Sequence, residues 1–193
     1  MTDIWKKVTS DKAEELIDVD ELDPESLELL EPGMRPEAYI ESLSSAGKWT
    51  DAVAVMARAL PKREAVWWAC VCAKKTQAVV KNKEEAAALK TARKWTFKPT
   101  EEHRRDAFLQ AQKCTAPSVG TMTCLAAAFS GGKLEINKEQ SVDLDASVFT
   151  NIVSGIVIMA ACDKEADRMN PMLERFLNKG KEIASGGRPK PKA

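Results

Sequence analysis

The chain has one histidine, His103, in 193 residues, so a zinc centre would have to be assembled from cysteines and carboxylates. The cysteines are not spaced for it. Cys70 and Cys72 lack the CxxC interval, and on a helix their side chains diverge by about 200°. A Cys–His nucleophile pair meets the same difficulty: Cys114 follows His103 by 11 residues, about three helical turns further along the same helix. A phosphate-binding loop is also missing. Ser130-Gly131-Gly132-Lys133 has the closing glycine and lysine of GxxxxGK[ST], but the first glycine is absent. Leu134 stands where Ser or Thr would bind magnesium, and a helix precedes the loop where a strand should. Glycine at this point reads as a helix C-cap taking a left-handed turn. No run of alternating short strands occurs, and no apolar stretch in the first 23 residues is long enough for a signal peptide. These absences lead us to expect no catalytic, cofactor-binding or metal-binding constellation, and a cytoplasmic location.

Cysteine is present in an odd number, as Cys70, Cys72, Cys114, Cys124 and Cys162, mostly inside apolar helical stretches. That suits reduced packing thiols better than a disulfide framework. With 44% hydrophobic and 30% charged residues, the composition is that of a globular domain.

Apolar residues recur at helical spacing almost throughout. Trp49, Ala52, Val53, Met56, Ala59 and Leu60 make one stripe, and Val66, Trp67, Cys70 and Val71 make a second after Pro61. Pro61 reads as the first residue of its helix, where the missing N–H costs nothing. Before this hairpin the spacing predicts short helices over residues 11–17 with Ser10 as N-cap, over 24–30 behind Asp23, and over 37–45 behind Pro36. After it, residues 74–83 read as a helix end and a turn. Further helices are expected over 84–96, 100–114, 117–129, 146–162 and from Pro171 to about Ile183. Glu84-Glu85 and Glu101-Glu102 sit at helix starts, where the macrodipole accounts for them. The 17 residues Ala146 to Cys162 carry no charge, but Thr150, Asn151, Ser154 and Gly155 interrupt them. They read as a core helix rather than a membrane span, with Gly155 admitting a close neighbour. Residues 134–145 are a loop with at most a brief extended piece.

The expected fold is therefore all-α: a single compact orthogonal bundle of eight to ten short helices built from helical hairpins. Residues 1–9 form an N-terminal segment, 10–184 the helical domain, and 185–193 a flexible basic tail. Within the domain, charge is strongly segregated. Residues 1–47 carry four Lys/Arg against thirteen Asp/Glu, a net of −9, and residues 48–113 carry fifteen against seven, a net of +8. Either the acidic head packs on the basic middle and the fields cancel, or the basic surface is free for an acidic partner or nucleic acid. Arg93, Lys94, Trp95, Lys98, His103, Arg104 and Arg105 could hold phosphate or stack a base. A solvated helix face with the tryptophan turned inward explains them equally.

Trp67 and Trp68 cannot both face the hairpin, since neighbouring residues on a helix point about 100° apart. One lies against it; the other reaches a second core layer or stands as an exposed anchor for a partner. The candidate partner-binding residues are Trp68, Arg58, Arg63, Arg104 and Arg105.

The segment ARALPKREAVWWACVCA, residues 57–73, resembles an uncharacterised bacterial family of small α-helical proteins with an LPxREAVWW signature. The resemblance extends through TAPSVGTMTCLAAAFSGG and FLNKGKEIASGG, covering the chain from about residue 36 onward. Members of that family occur in type VI secretion gene neighbourhoods. The resemblance implies a non-enzymatic protein-binding module, a cytoplasmic adaptor or chaperone-like accessory protein whose partner is a secretion component or effector. The alternative is an immunity-type or regulatory protein that binds a toxin or nucleic acid through the basic middle.

Overall fold

Local chemistry sets most of the helix starts in the computed structural model, which describes residues 5–114, 118–131, 133–135, 141–143, 145–163 and 168–187. Pro24 and Pro36 occupy the first turns of α1 (Pro24–Leu27) and α2 (Pro36–Ser45), and the Asp23 carboxylate accepts from the Glu25 N–H. The two helices read as a hairpin follow as α3 (Trp49–Ala59) and α4 (Lys62–Ala73), but they make little contact with each other. The expected hairpin is opened at Leu60-Pro61, where both residues are extended and Pro61 is the N-cap, one position earlier than expected. Thr76 caps α5 (Gln77–Lys81), a single turn not foreseen in the polar 74–83 stretch. Asn82 caps α6 (Lys83–Phe97), Thr100 caps α7 (Glu101–Lys113), Ser118 caps α8 (Val119–Phe129) and Asp145 caps α9 (Ala146–Ala161). The last helix, α10 (Met169–Ala184), starts two residues before Pro171. Proline is tolerated there because first-turn N–H groups have no partner within the helix.

The described residues thus form an all-α bundle of ten helices, with two departures from the expected pattern. Residues 11–17 make only a 3-10 turn, Ala13–Glu15. Ser10 Oγ does accept from the Lys12 N–H, but the Ala13 N–H donates outward to the Met34 carbonyl at 2.8 Å, so the segment is held by its neighbour rather than by its own ladder. The second departure is a three-residue antiparallel ladder of β1 (Lys133–Glu135) and β2 (Ser141–Asp143), with Lys133 opposite Asp143.

Helices α4 and α9 form the middle of the bundle. α8 and α10 each pack on both of them, α3 packs on α9 and α10, and α6 lies against α4 and α8. α2 lies outside α3, and α7 lies against α6 and α8. Because α4 is covered on several sides, the face carrying Trp68 is not a surface. Trp68 is fully buried, and its indole N–H donates to the Phe176 carbonyl of α10 at 2.7 Å. Trp67 is the half-buried member of the pair. The expectation of an exposed Trp68 anchor is therefore corrected: the second tryptophan meets a second core layer.

Small residues set the closest approaches. A Cβ on Gly120 would lie 2.6 Å from Glu85 Oε2 and 2.7 Å from the Glu85 carbonyl oxygen. That contact is possible because Glu85, buried in α6, accepts the Gly120 N–H at 2.8 Å and so satisfies a first-turn donor of α8. Ala88 and Ala92 line the same seam, and the Cys124 thiol donates to the Ala88 carbonyl at 3.0 Å. Gly180 is a second such point, its missing side chain replaced by Met56 at 3.0 Å. Gly155, expected to be a close approach, is not one: the nearest atom to its Cβ position is Met122 Cε at 4.0 Å. α9 buries Phe149, Val153, Ile156 and Val157 but turns Val148, Asn151 and Met159 outward. No helix of the described residues is long and apolar enough to cross a membrane.

The acidic head docks on α3. Arg58 pairs with Glu21, Lys48 with Asp23 at 3.0 Å and Glu25 at 2.5 Å, and the Ser26 hydroxyl donates to the Asp51 carboxylate of α3 at 2.5 Å. From Trp5 the N-terminal segment is tied as well: Trp5 is 5% exposed, and the Lys6 and Lys7 N–H groups share the Ala184 carbonyl at 2.9 Å. The basic tail expected over 185–193 is described only to Gly187, so its RPKPKA stretch lies outside the described residues.

Trp68→Ala should destabilise the fold by about 3–5 kcal/mol and Trp67→Ala by about 1–2 kcal/mol, read from chemical denaturation followed by far-UV circular dichroism. Gly120→Ala should cost about 1–3 kcal/mol by overpacking a seam with no room for a methyl group; an unchanged denaturation midpoint would show that α6 and α8 separate freely.

Candidate functional site

The five residues expected to meet a partner are not brought together. Arg63 donates from Nε to the Thr96 carbonyl at 2.7 Å, placing its charge at the C-terminal end of α6. Arg104 is buried and does the same for α8. Its Nη1 donates to the Ala128 carbonyl at 2.7 Å and its Nη2 to the Lys133 carbonyl at 2.6 Å, while Nε and Nη2 hold the Glu101 carboxylate at 2.8 and 2.6 Å. This charge-assisted fork holds the Glu101 carboxyl below its ordinary pKa. Both arginines thus complement helix dipoles at their negative ends.

Gly131 is explained by the same clamp. A Cβ there would fall 2.8 Å from the Arg104 guanidinium carbon. The left-handed glycines among the described residues are Gly33, Gly47 and Gly186, so the left-handed turn expected at the Ser130-Gly131 loop is not at Gly131. Gly132 lies outside the described residues.

Arg58 straps the head through Glu21, its side chain 11% exposed. It lines a cleft of about 430 Å³ between the head and the start of α9, where the Lys62 ammonium stands 5.6 Å from the Phe149 ring centre. Glu15, Asp18 and Asp145 share the lining, so the cleft has no dominant sign of charge. Arg105 is exposed on α7. Trp95 is turned inward at 7% exposure and so offers no face for a base to stack on. His103 spends its Nδ1 on the Lys98 carbonyl at 2.8 Å, closing the loop before α7.

The thiols are packing groups. Cys70, Cys72 and Cys124 are buried, and burial raises all three pKa values, that of Cys124 to about 12. Among the described residues no group of three or more His, Cys, Asp or Glu is placed to hold a metal ion.

One surface combines exposed apolar area with a single sign of charge. Between α5 and α6 a groove of about 250 Å³ has Val79, Leu89 and Ala86 as its floor and Lys74, Lys90 and Arg93 around it, with no acid in the lining. Val80, beside it, is 74% exposed, and the Arg93 guanidinium lies 5.8 Å from the Phe97 ring centre. The sequence conceals this groove because the 74–83 stretch reads as a helix end and a turn. The available signal was Val79-Val80, an apolar pair stranded among lysines.

Residues 39–184 match the model of a family of unknown function, DUF6931. The match opens within α2 and closes with α10, leaving residues 1–38 outside it. The chain matches no curated protein and no solved structure.

Because the thiolate is the reactive form of cysteine, Ellman titration of the native protein at pH 8 should modify exposed Cys162 rapidly and half-buried Cys114 slowly, with the other three reacting only after unfolding. Fast reaction of Cys70 or Cys124 in the native state would contradict the packing described.

Proposed function

The chain belongs to the DUF6931 family, and from that premise we propose that it is a non-enzymatic protein-binding module, a cytoplasmic adaptor or chaperone-like accessory protein of a type VI secretion locus. The observation that carries this reading is the α5–α6 groove. A large exposed valine beside an apolar floor, ringed by Lys74, Lys90 and Arg93, is the surface chemistry of a site for an apolar side chain on an acidic partner segment. The resemblance carried by LPKREAVWW supplies the secretion context and suggests a secretion component or effector as the partner.

Nucleic acid remains the second reading, favoured by the net charge of residues 48–113. It loses support from the inward Trp95 and from Arg63 and Arg104, whose donors are engaged by backbone carbonyls.

The test is affinity capture of the tagged full-length protein from its native host, with bound proteins and nucleic acid both identified. The expected result is a spike, tip or effector protein encoded in the same locus. Val80→Asp and Lys90→Glu should each weaken that complex about tenfold while changing stability by less than about 0.5 kcal/mol. Recovery of nucleic acid alone, released progressively by salt, would replace the adaptor reading with the second one.

A further inference from the structure

Helices α2 and α10 both pack on α3 but make little contact with each other, and a groove runs between them. It consists of two adjoining cavities, of about 230 and 450 Å³, which share Glu41, Asn178 and Lys181 in their walls. The Lys181–Glu41 ion pair, at 2.5 Å, crosses the groove where they meet. Trp49 stands in the wall of one cavity and Trp5 in the wall of the other.

The charge in this lining is one-sided. Glu37, Glu41, Glu174 and Glu182 contribute four carboxylates against the single ammonium of Lys181, which holds Glu41. Lys179 holds Glu182 at 2.5 Å from outside the lining, so the unbalanced charge rests with Glu174 and with Glu37, whose Arg35 is shared with Asp11. Carboxylates on a surface are ordinary, but Glu37 is not on the surface. Its side chain is 5% exposed, and Oε1 is held by Arg35 Nε at 2.6 Å. Its Oε2 is buried with no hydrogen-bond partner, in a residue that lines the larger cavity. A buried carboxylate oxygen left without a donor is costly, and a donor arriving in the groove would relieve that cost.

We propose that the α2–α10 groove is a second binding site, taking an extended peptide segment whose lysine or arginine side chain enters the larger cavity toward Glu37. An ammonium or guanidinium head supplies the donor that Oε2 lacks, and its methylene stem lies along Trp5. Ser44, Ser45, Asn178 and Ser185 present hydroxyl and amide groups along the groove. These match the amide groups of a peptide backbone, which a simple polyamine does not have. The site is separate from the α5–α6 groove and opposite to it in charge, so its occupant does not depend on the adaptor reading.

Calorimetric titration of the full-length protein at low salt tests this with two blocked peptides, acetyl-Ala-Lys-Ala-Lys-Ala-amide and its glutamate counterpart, which should not bind, and with spermidine. The lysine peptide should bind saturably. Glu37→Gln, which keeps the shape but removes the charge, and Glu174→Gln, on the exposed rim, should each weaken binding at least fivefold, with circular dichroism confirming that both variants are folded. No saturable binding of the lysine peptide overturns the proposal, as does equal binding to both glutamine variants. Binding of spermidine as tight as the peptide overturns the assignment to a peptide.

Discussion

A tryptophan placed deep in a core must find an acceptor for its indole N–H, and that requirement organises the bundle. Trp68 meets it with the Phe176 carbonyl in the middle of α10, which fixes how far α10 lies along α4. Once α10 is set, Gly180 falls where Met56 of α3 needs room, and the Ala184 carbonyl falls where the Lys6 and Lys7 amides can bond to it. The N-terminal segment, α3, α4 and the last helix are thereby joined through one buried donor. Replacing it with a purely apolar ring of similar size would keep the volume and lose the registration.

Small residues do the equivalent work at the other end of the bundle. Alanines on α6 and Gly120 on α8 let two backbones approach until Glu85 can reach the first turn of its neighbour. The glutamate is a polar group placed inside a seam of methyl groups, and the N–H it accepts at the helix N-terminus is what makes it tolerable there.

Helix existence was legible in the sequence because it depends on local spacing and caps. Asp23, Pro24 and Pro36 act as read. The side on which a residue ends up was less legible. Trp67 and Trp68 differ by one position, and which one is covered depends on how many helices surround α4, a fact of tertiary arrangement. Arg58, Arg63 and Arg104 looked like a binding surface because sequence displays charge but not what meets it, the Glu21 carboxylate for Arg58 and helix carbonyls for Arg63 and Arg104. Gly155 and Gly120 make the same point: both are glycines in apolar helices, and only the partner helix distinguishes the crowded one from the open one. The α5–α6 groove was hidden by a turn reading that a single capped turn, behind Thr76, corrects.

The two arginine clamps also bear on how quickly this protein finds anything. A diffusing molecule responds to the field outside the surface, whereas a guanidinium folded onto helix carbonyls and a carboxylate contributes little to it. With Arg63 and Arg104 turned to that use, and Arg58 and Lys48 paired with the head, the middle of the chain attracts more weakly than its formal charge implies. Encounter rates with acidic partners should follow the lysines that α5 and α6 keep on the surface, Lys81, Lys83, Lys90 and Lys94, and salt screens such exposed charges beyond about 10 Å.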